Sequence, residues 1–426
     1  MKQAQFCETL LACFLHLKRQ HHKRSENKMR QAVFRTPQTI LYGKQAFEKI
    51  GEEAARRGKK ALIVTDKIMA GLGNADACQR ILQEAGVKSA VYTGVHSEPV
   101  DHYVSEALAL FQQESCDLLV SLGGGSCIDT AKAVAVVATN GGYIGDYMGG
   151  RKIAEKPPVP HIAVPTTAGT GSEATDATII TNTANDVKMM IKQPAFMPAV
   201  AIVDPVLSKS SPKSVTAATG VDALSHAIEA YISRRAHPLT DTLALSAMRL
   251  IIPNLKSAYE DGENMEARDA MSLGSLQAGM AFSNASVCLV HGMSRPIGAL
   301  FHVPHGVSNA MLLPAVLEFS KSACLERLAD IGKIFSPEAK DLSGKEAADL
   351  AVRAVKQLCL DLNIPNLRGW GIPQQPFESA INKMASDALA SGSPQNNPRV
   401  PSQKEIEDLY LVCYDYQFSG EVQARG

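Results

Sequence analysis

The stretch Leu118-Leu-Val-Ser-Leu-Gly-Gly-Gly-Ser126 decides the fold of this 426-residue chain. Its apolar beginning is typical of a fully buried strand, and its glycines lead directly into a helical pattern. Glycine lets a ligand approach the backbone closely, and the free amides at a helix start favour an anion such as a pyrophosphate. An ordinary strand-to-helix turn would look similar, but three consecutive glycines followed by Ser126 favour the anion site. The segment is not the GxGxxG fingerprint, so a simple Rossmann fold is not implied.

Short apolar runs and helical patterns alternate around this stretch, up to about residue 205. The alternation predicts a parallel sheet covered by helices. After about residue 212 long periodic segments replace it and predict an all-helical region. Strands are expected at 61–66, 88–92, 117–121, 160–164 and 200–204, and helices at 51–58, 79–86, 104–114, 220–234, 240–260, 265–281 and 345–362.

The composition excludes several classes of partner. Lys plus Arg and Asp plus Glu both number 43, so no net charge attracts nucleic acid or an anionic membrane, and a small-molecule partner is expected. The nine cysteines include no CxxC pair, which indicates a reducing, cytoplasmic location. Residues 1–30 carry an apolar run too short to span a bilayer and are predicted to be a disordered extension. A homodimer or higher homo-oligomer is the expected assembly.

Two further polar positions follow predicted strands. Asp66 ends the strand at 61–66, where a carboxylate can bind the adenosine ribose and repel the 2′-phosphate of NADP. The segment Pro165-Thr-Thr-Ala-Gly-Thr-Gly-Ser172 offers hydroxyls and amides after another strand. An acid after a strand is also a common helix cap, and the second segment is also typical of a connecting loop. Because both follow strands of one sheet, a shared nucleotide crevice that prefers NAD over NADP is the favoured interpretation.

Four residues after position 212 have the ligand types of a metal site. Asp222 and His226 are four residues apart in a helical pattern, which places them on one face, one turn apart. His291 and His305 complete a set of one carboxylate and three imidazoles, which suits Fe(II) or Zn(II) and leaves a position for water or substrate. A lone histidine is more often structural, so residue type and spacing favour the metal only slightly. The structural interpretation is preferred for His161, His237 and His302.

Several motifs recur in order over roughly residues 33–415: Gly123-Gly-Gly-Ser-Cys-Ile-Asp-Thr-Ala-Lys132, Pro165-Thr-Thr-Ala-Gly-Thr-Gly-Ser-Glu173, Gly220-Val-Asp-Ala-Leu-Ser-His226, His291-Gly-Met-Ser and Pro304-His-Gly306. Together they resemble the iron-containing, group III alcohol dehydrogenases. The resemblance implies an α/β dinucleotide-binding domain with a parallel sheet at 31–211 and an all-α, metal-binding domain at 212–426, the fold shared with dehydroquinate synthase. A cleft between them would hold nicotinamide and metal.

Position by position, the resemblance also implies which side chains bind metal and cofactor. It implies reversible, NAD-linked hydride transfer from a metal-bound primary or secondary alcohol, or to an aldehyde or ketone. Fe(II) is the expected metal and Zn(II) the alternative. The implied metal ligands are Asp222, His226, His291 and His305. The implied NAD contacts are Asp66, Gly123, Gly124, Gly125, Ser126, Asp129, Thr166, Thr167 and Lys188.

The substrate end departs from the resembled family. Phe282 matches an aromatic near the family's substrate pocket, although core packing also explains it. Many relatives carry a second histidine four residues after the equivalent of His291, where this chain has Arg295. Arginine has no acceptor and stays charged, so it cannot relay protons as a general base. Arg295 either holds an anionic group, which indicates a hydroxy-acid or semialdehyde substrate, or only packs against the dinucleotide. Ser393 stands where some relatives have a cysteine.

Two other functional classes stay open at this point. A metal-dependent lyase of the dehydroquinate synthase type uses NAD transiently, but it would gather several basic residues around a phosphorylated sugar acid, and few surround these motifs. A non-catalytic interaction protein is disfavoured because all four metal positions are filled. Net formation of NADH from added alcohols, with and without a chelator, distinguishes the three.

Overall fold

The computed structural model describes residues 31–418, so the predicted extension at residues 1–30 lies outside the described residues. A sheet of six parallel strands forms the first half, in the order β1-β8-β5-β4-β2-β3. Parallel strands need crossover connections, and helices on both faces bury the sheet. The strands are β1 (Thr39–Tyr42), β2 (Lys60–Val64), β3 (Lys88–Tyr92), β4 (Leu118–Gly123), β5 (His161–Pro165) and β8 (Val200–Val203).

Alternate residues of the central strands enter two separate hydrophobic clusters. Leu62 and Leu119 pack on one face, whereas Ile63 and Val120 pack on the other. This alternation follows from the two-residue period of a strand, and it explains why β2 and β4 are apolar almost throughout. The helices that cover the faces are α1 (Ile50–Ala55), α2 (Lys67–Gly71), α3 (Asn74–Glu84), α4 (Asp101–Gln113) and α5 (Gly125–Asn140).

A two-stranded antiparallel hairpin lies outside the main sheet. It consists of β6 (Ala177–Asn182) and β7 (Val187–Lys192), and its register pairs Thr181 with Lys188. An isolated parallel bridge between Val100 and Thr181 ties the start of α4 to it. The hairpin therefore carries Lys188 beside the loop that precedes α4.

The second half is helical, and residues 212–418 contain no strand in the part of the chain that the structure describes. Its interior is one large apolar cluster. No single described helix is long and apolar enough to span a membrane, and only a pair bent by 101°, Met265–Ala285 with Leu289–Phe301, passes that test together. The helices are α6 (Lys213–Ile232), α7 (Pro238–Glu260), α8 (Met265–Ala285), α9 (Leu289–Phe301), α10 (His305–Ser320), α11 (Leu325–Phe335), α12 (Gly344–Asp361), α13 (Leu367–Trp370), α14 (Gln374–Ala390) and α15 (Gln403–Tyr414).

The predicted fold class, a parallel sheet with helices followed by an all-helical region, is confirmed. All five predicted strands are present, but the edge strand β1 and the β6–β7 hairpin were not predicted. The predicted division at residues 211 and 212 falls just before α6 and stays a proposal.

Candidate metal and dinucleotide site

Four ligand-type side chains from three helices converge on one point. Asp222 and His226 project from α6 one turn apart, His291 comes from α9, and His305 is the first residue of α10. One ligand atom of each lies within 4.8 Å of the others. The structure thus brings together the four predicted metal positions, although they are spread over 84 residues of sequence.

Several polar atoms of this cluster lack a hydrogen-bond partner among the described residues. They are Oδ2 of Asp222, Nδ1 of His226 and Nε2 of His291, all buried. Buried polar atoms without partners cost free energy, and they are rare in folded proteins. One carboxylate and three imidazoles fit a divalent transition metal, which would satisfy such atoms.

The protonation states of the histidines also suit a cation. Burial lowers the pKa of His226 to about 3 and that of His305 to about 4, so both rings are neutral at pH 7. Burial opposes charge on His291 as well, but Glu229 and Asp222 outweigh it and raise its pKa to about 9. A metal would take the place of that proton, because a metal ligand must present an unprotonated nitrogen.

Two buried polar residues orient the ligands and were not predicted. Glu229 accepts from the backbone of Val290 at 2.7 Å and lies 2.5 Å from His291 Nδ1, which directs Nε2 of that ring toward the cluster. Asn309 donates to Asp222 Oδ1 at 2.7 Å. Their spacing places Glu229 near His226 and Asn309 near His305 on the same helix, but it does not show that Glu229 contacts His291, 62 residues later.

An open cavity of about 380 Å³ lies against the cluster, lined by residues from both halves of the chain. Phe282 of α8 stacks on His226, with ring centroids 4.1 Å apart and an interplanar angle of 15°. This ring lines the cavity, so it both packs against a candidate ligand and provides an apolar wall.

Arg295 lines the same cavity, one turn after His291 on α9. It is 6% exposed, donates to Ser393 Oγ at 2.9 Å and to Met190 Sδ at 3.5 Å, and its Nε has no partner among the described residues. Burial lowers its pKa to about 10, which leaves it charged at pH 7. A buried cation with unused donors needs a polar or anionic ligand group to offset its desolvation.

The glycine-rich turn between β4 and α5 lies at the other side of the cavity. A Cβ at Gly123 would lie 2.5 Å from Cys127 Sγ, and one at Gly125 would lie 2.8 Å from Thr170. At Gly124 the nearest atom would be 3.6 Å away, in Thr167, so this residue faces more open space. Gly125 and Ser126 line the cavity and begin α5, whose first amides have no helical acceptor.

Three other predicted cofactor residues lie beside this turn. The backbone amide of Thr166 donates to Gly123 at 3.0 Å, and Thr167 faces Gly124. Asp66 caps α2 by accepting from Met69 through Oδ1 at 2.8 Å, while its Oδ2 is 3.8 Å from Cys127 Sγ. Asp66 is therefore a helix cap that keeps a second oxygen near the glycines.

Asp129 and Lys188, the remaining two, line the cavity. The carboxylate of Asp129 accepts from Ser172 Oγ at 2.5 Å and from the Ile179 amide at 2.9 Å. Lys132, three residues later and fully buried, also donates to Ser172, at 2.9 Å. These contacts fix the loop before the hairpin, so Asp129 supports the cavity wall as well as lining it.

The two halves of the chain match two family models. Residues 37–205 match the model described as iron-containing alcohol dehydrogenase, and residues 216–414 match the model of the C-terminal part of that family. These two matches cover most of the chain.

Individual relatives agree with this. The chain is 40% identical over 382 residues to the 1,3-propanediol dehydrogenase of Klebsiella pneumoniae, covering 89% of this chain and 97% of that one. It is 40% identical over 378 residues to the NAD-dependent methanol dehydrogenase of Bacillus methanolicus, covering 88% and 98%. A crystal structure of 1,3-propanediol oxidoreductase superimposes with a TM-score of 0.86 at 40% identity, covering 90% and 100%. Neither the hydroxy-acid alternative nor the lyase alternative is favoured by these relatives.

Proposed function

Since this chain belongs to the iron-containing alcohol dehydrogenase family and is an NAD-linked, metal-dependent alcohol dehydrogenase, we propose that one divalent metal is held by Asp222, His226, His291 and His305. The observation that carries the proposal is the convergence of four ligand atoms within 4.8 Å, with buried atoms left unpartnered. Fe(II) is favoured by the family, and the donor set also accepts Zn(II).

The chain's own residues orient the reactants. When bound, the metal supplies a Lewis acid that makes an alcohol more acidic, and the nicotinamide accepts the hydride from its carbon. Glu229 holds the ring of His291 in position, so that Nε2 keeps its direction through the cycle. Phe282 stacks on His226 and presents an apolar surface to the cavity on that side.

We further propose that NAD binds along the edge where β2, β4 and β5 end. The turn of Gly123, Gly124, Gly125 and Ser126 would receive the diphosphate at the start of α5. The Oδ2 of Asp66, which accepts only from the weak donor Cys127 Sγ in the described residues, would bind ribose hydroxyls and repel a 2′-phosphate, which favours NAD over NADP. Asp129, Thr166, Thr167 and Lys188 would contact or support the rest of the dinucleotide.

For the substrate, we propose a small alcohol or aldehyde that carries a second oxygen. Arg295 offers unused donors in the cavity that contains Phe282 and His291, and it lacks any acceptor for a proton. Such donors can bind a second hydroxyl, as 1,3-propanediol would present. The proton released on oxidation then leaves by another route, such as water.

The reaction is tested by NADH formation with protein reconstituted with Fe(II) or Zn(II). We expect turnover that a chelator abolishes and either metal restores. If the metal-loaded protein neither forms NADH with any alcohol nor consumes it with any aldehyde, the assignment as a dehydrogenase is contradicted.

The role of Arg295 is tested by comparing 1,3-propanediol, 1-propanol and 3-hydroxypropanoate with the Arg295→Met variant. Because a hydrogen bond from a charged group contributes about 1.5–3 kcal/mol, kcat/KM for 1,3-propanediol should fall at least about tenfold more than for 1-propanol. The exposed Arg80→Met is the matched control. An equal loss on all three substrates would show that Arg295 does not contact the second oxygen, and a loss confined to the acid would show that it binds carboxylates.

Homo-oligomerisation and a cytoplasmic location stay predictions from the sequence. A sedimentation measurement and fractionation of cells test them separately.

A further inference from the structure

Glu98 connects a candidate cofactor residue to a candidate metal ligand. One carboxylate oxygen, Oε2, lies 3.1 Å from the ammonium of Lys188, and the other accepts from the backbone amide of His305 at 3.1 Å. The carboxylate therefore contacts both partners at once, through different oxygens.

The hairpin register explains how Glu98 reaches Lys188. Thr181 pairs directly with Lys188, and its amide donates to the carbonyl of Pro99 at 2.8 Å. Thr181 also forms the bridge to Val100. Glu98, the residue before Pro99, is therefore held next to the Thr181–Lys188 pair of the hairpin.

The helical side of the contact is equally constrained. His305 is the first residue of α10, so its amide has no acceptor within the helix, and a carboxylate is favourable at that positive end. Lys188 passes across α9 at Gly298, where a Cβ would lie 2.6 Å from its Nζ. The missing side chain at Gly298 is what leaves room for the ammonium.

We propose that Glu98 is a positioning residue that couples cofactor binding at Lys188 to metal binding at His305. This inference rests on the proposed function, which assigns those two residues to the two ligands. A bound metal would fix the position of His305 and therefore of its backbone amide, which donates to Glu98. Glu98 would in turn hold the ammonium of Lys188 in the position that contacts the cofactor. Coupling between two binding sites is reciprocal, so the cofactor must tighten metal binding by the same factor.

The experiment measures binding without turnover. NADH is titrated by its own emission into metal-stripped protein and into the same protein loaded with Zn²⁺, and the ratio of the two Kd values is the coupling. In the wild-type protein we expect NADH to bind about tenfold more tightly with Zn²⁺, within the usual range for coupled sites. In Glu98→Gln, which keeps the size but loses the charge, the ratio should fall to within about twofold of unity.

Two further variants make the result specific. Lys188→Met breaks the same contact from the hairpin side, and the double variant should lose no more of the ratio than either single variant, because contacting residues are not additive. Glu114→Gln is the matched control, since Glu114 forms a 2.7 Å ion pair with Lys60 outside the cavity. We expect it to keep the wild-type ratio.

The outcomes separate this inference from the proposed function. A wild-type ratio near unity, or a Glu98→Gln variant that keeps the wild-type ratio, overturns the coupling while NADH formation from alcohols leaves the dehydrogenase intact. Weaker binding of both ligands with an unchanged ratio assigns Glu98 a purely structural role and also overturns it. If Glu98→Gln does not fold, Lys188→Met tests the same contact.

Discussion

The sheet half and the helical half build their parts of the site in opposite ways. Around α5 the groups that we propose to bind the cofactor are backbone amides, beside Gly123, Gly124 and Gly125, which carry no side chain. Around α6, α9 and α10 the groups that we propose to bind the metal are side chains, held by other buried side chains such as Glu229 and Asn309. A side chain added in the first region and a side chain removed in the second should therefore be the damaging changes.

The largest expected effect is the loss of a metal ligand. His226→Ala removes one of four donors and leaves Phe282 without the ring on which it stacks. Because a Lewis acid contributes several kcal/mol to the transition state, we expect turnover to fall on the order of a thousandfold, together with loss of bound metal. Metal content by mass spectrometry and NADH formation measure the two effects, with the exposed His102→Ala as control. A variant that keeps its metal and its rate would remove His226 from the ligand set.

The next effect concerns the residue that orients a ligand. Glu229→Gln replaces one carboxylate oxygen by an amide that donates, so it cannot accept from both Val290 and His291. Loss of such a contact typically weakens metal binding about 10- to 100-fold. Competition with a chelating dye measures the affinity, and the exposed Glu326→Gln is the control. Equal affinities would show that the ring of His291 is oriented without Glu229.

Glu229 was not predicted as a site residue, although the residues around it were. The strands and long helices were predictable because burial imposes a period of two or 3.6 on the apolar residues. The candidate ligands were found by residue type, but Glu229 was not, although it lies on the same helix face as Asp222 and His226. Its role depends on His291, 62 residues later, and no local pattern reports a contact of that kind.

The missed elements have different reasons. Strand β1 lies at the edge of the sheet and has no fully buried residue, so it lacks the continuous apolar run that predicted β8, which is equally short. The hairpin does show alternation and a polar turn between Asn182 and Val187, which is the usual signal. Glu98 had no signal at all, because its contacts depend on the register of that hairpin and on the start of α10.

In the sheet half, the proposed cofactor site is tested by adding a methyl group at Gly124. Gly124→Ala meets no protein atom closer than 3.6 Å, and its φ of −72° suits alanine, so the fold should be unchanged. The added carbon would instead meet a diphosphate bound at the start of α5, and we expect Kd for NADH to rise about tenfold, which is about 1.4 kcal/mol. Fluorescence titration measures Kd, and thermal unfolding checks the fold.

Gly344→Ala is the matched control, because it too has open space around the added carbon but lies far along the chain at the start of α12. If both substitutions leave NADH binding unchanged, the glycine turn does not receive the cofactor. If Gly124→Ala weakens NADH binding only because it unfolds the protein, the result gives no support to cofactor binding by backbone amides in the sheet half.

The smallest expected effect is on the pH dependence of stability, and it concerns His161, a histidine of the sheet that is not among the proposed metal ligands. His161 of β5 is buried, contacts Ser121 Oγ through Nε2 at 2.8 Å, and its Nδ1 has no partner among the described residues. Burial, with a smaller contribution from Lys132, lowers its pKa to about 3. In the unfolded chain this ring takes a proton below pH 6.5, whereas in the folded chain it stays neutral down to about pH 3.

The unfolded state therefore binds more protons than the folded state in that window, and stability must fall as the pH falls from 6.5 towards 3. The loss from this one group is about 1.4 kcal/mol per pH unit. His161→Gln keeps a group that can bond to Ser121 and has no titrating proton, so the free energy of unfolding in urea should depend less steeply on pH between 6.5 and 5. The metal content of His161→Gln at pH 7.5 should equal that of the wild-type protein. The metal content of His226→Ala should be lower. A variant with the wild-type pH slope would mean that His161 takes up its proton over the same pH range in the folded and the unfolded chain, so that burial in the sheet does not lower its pKa.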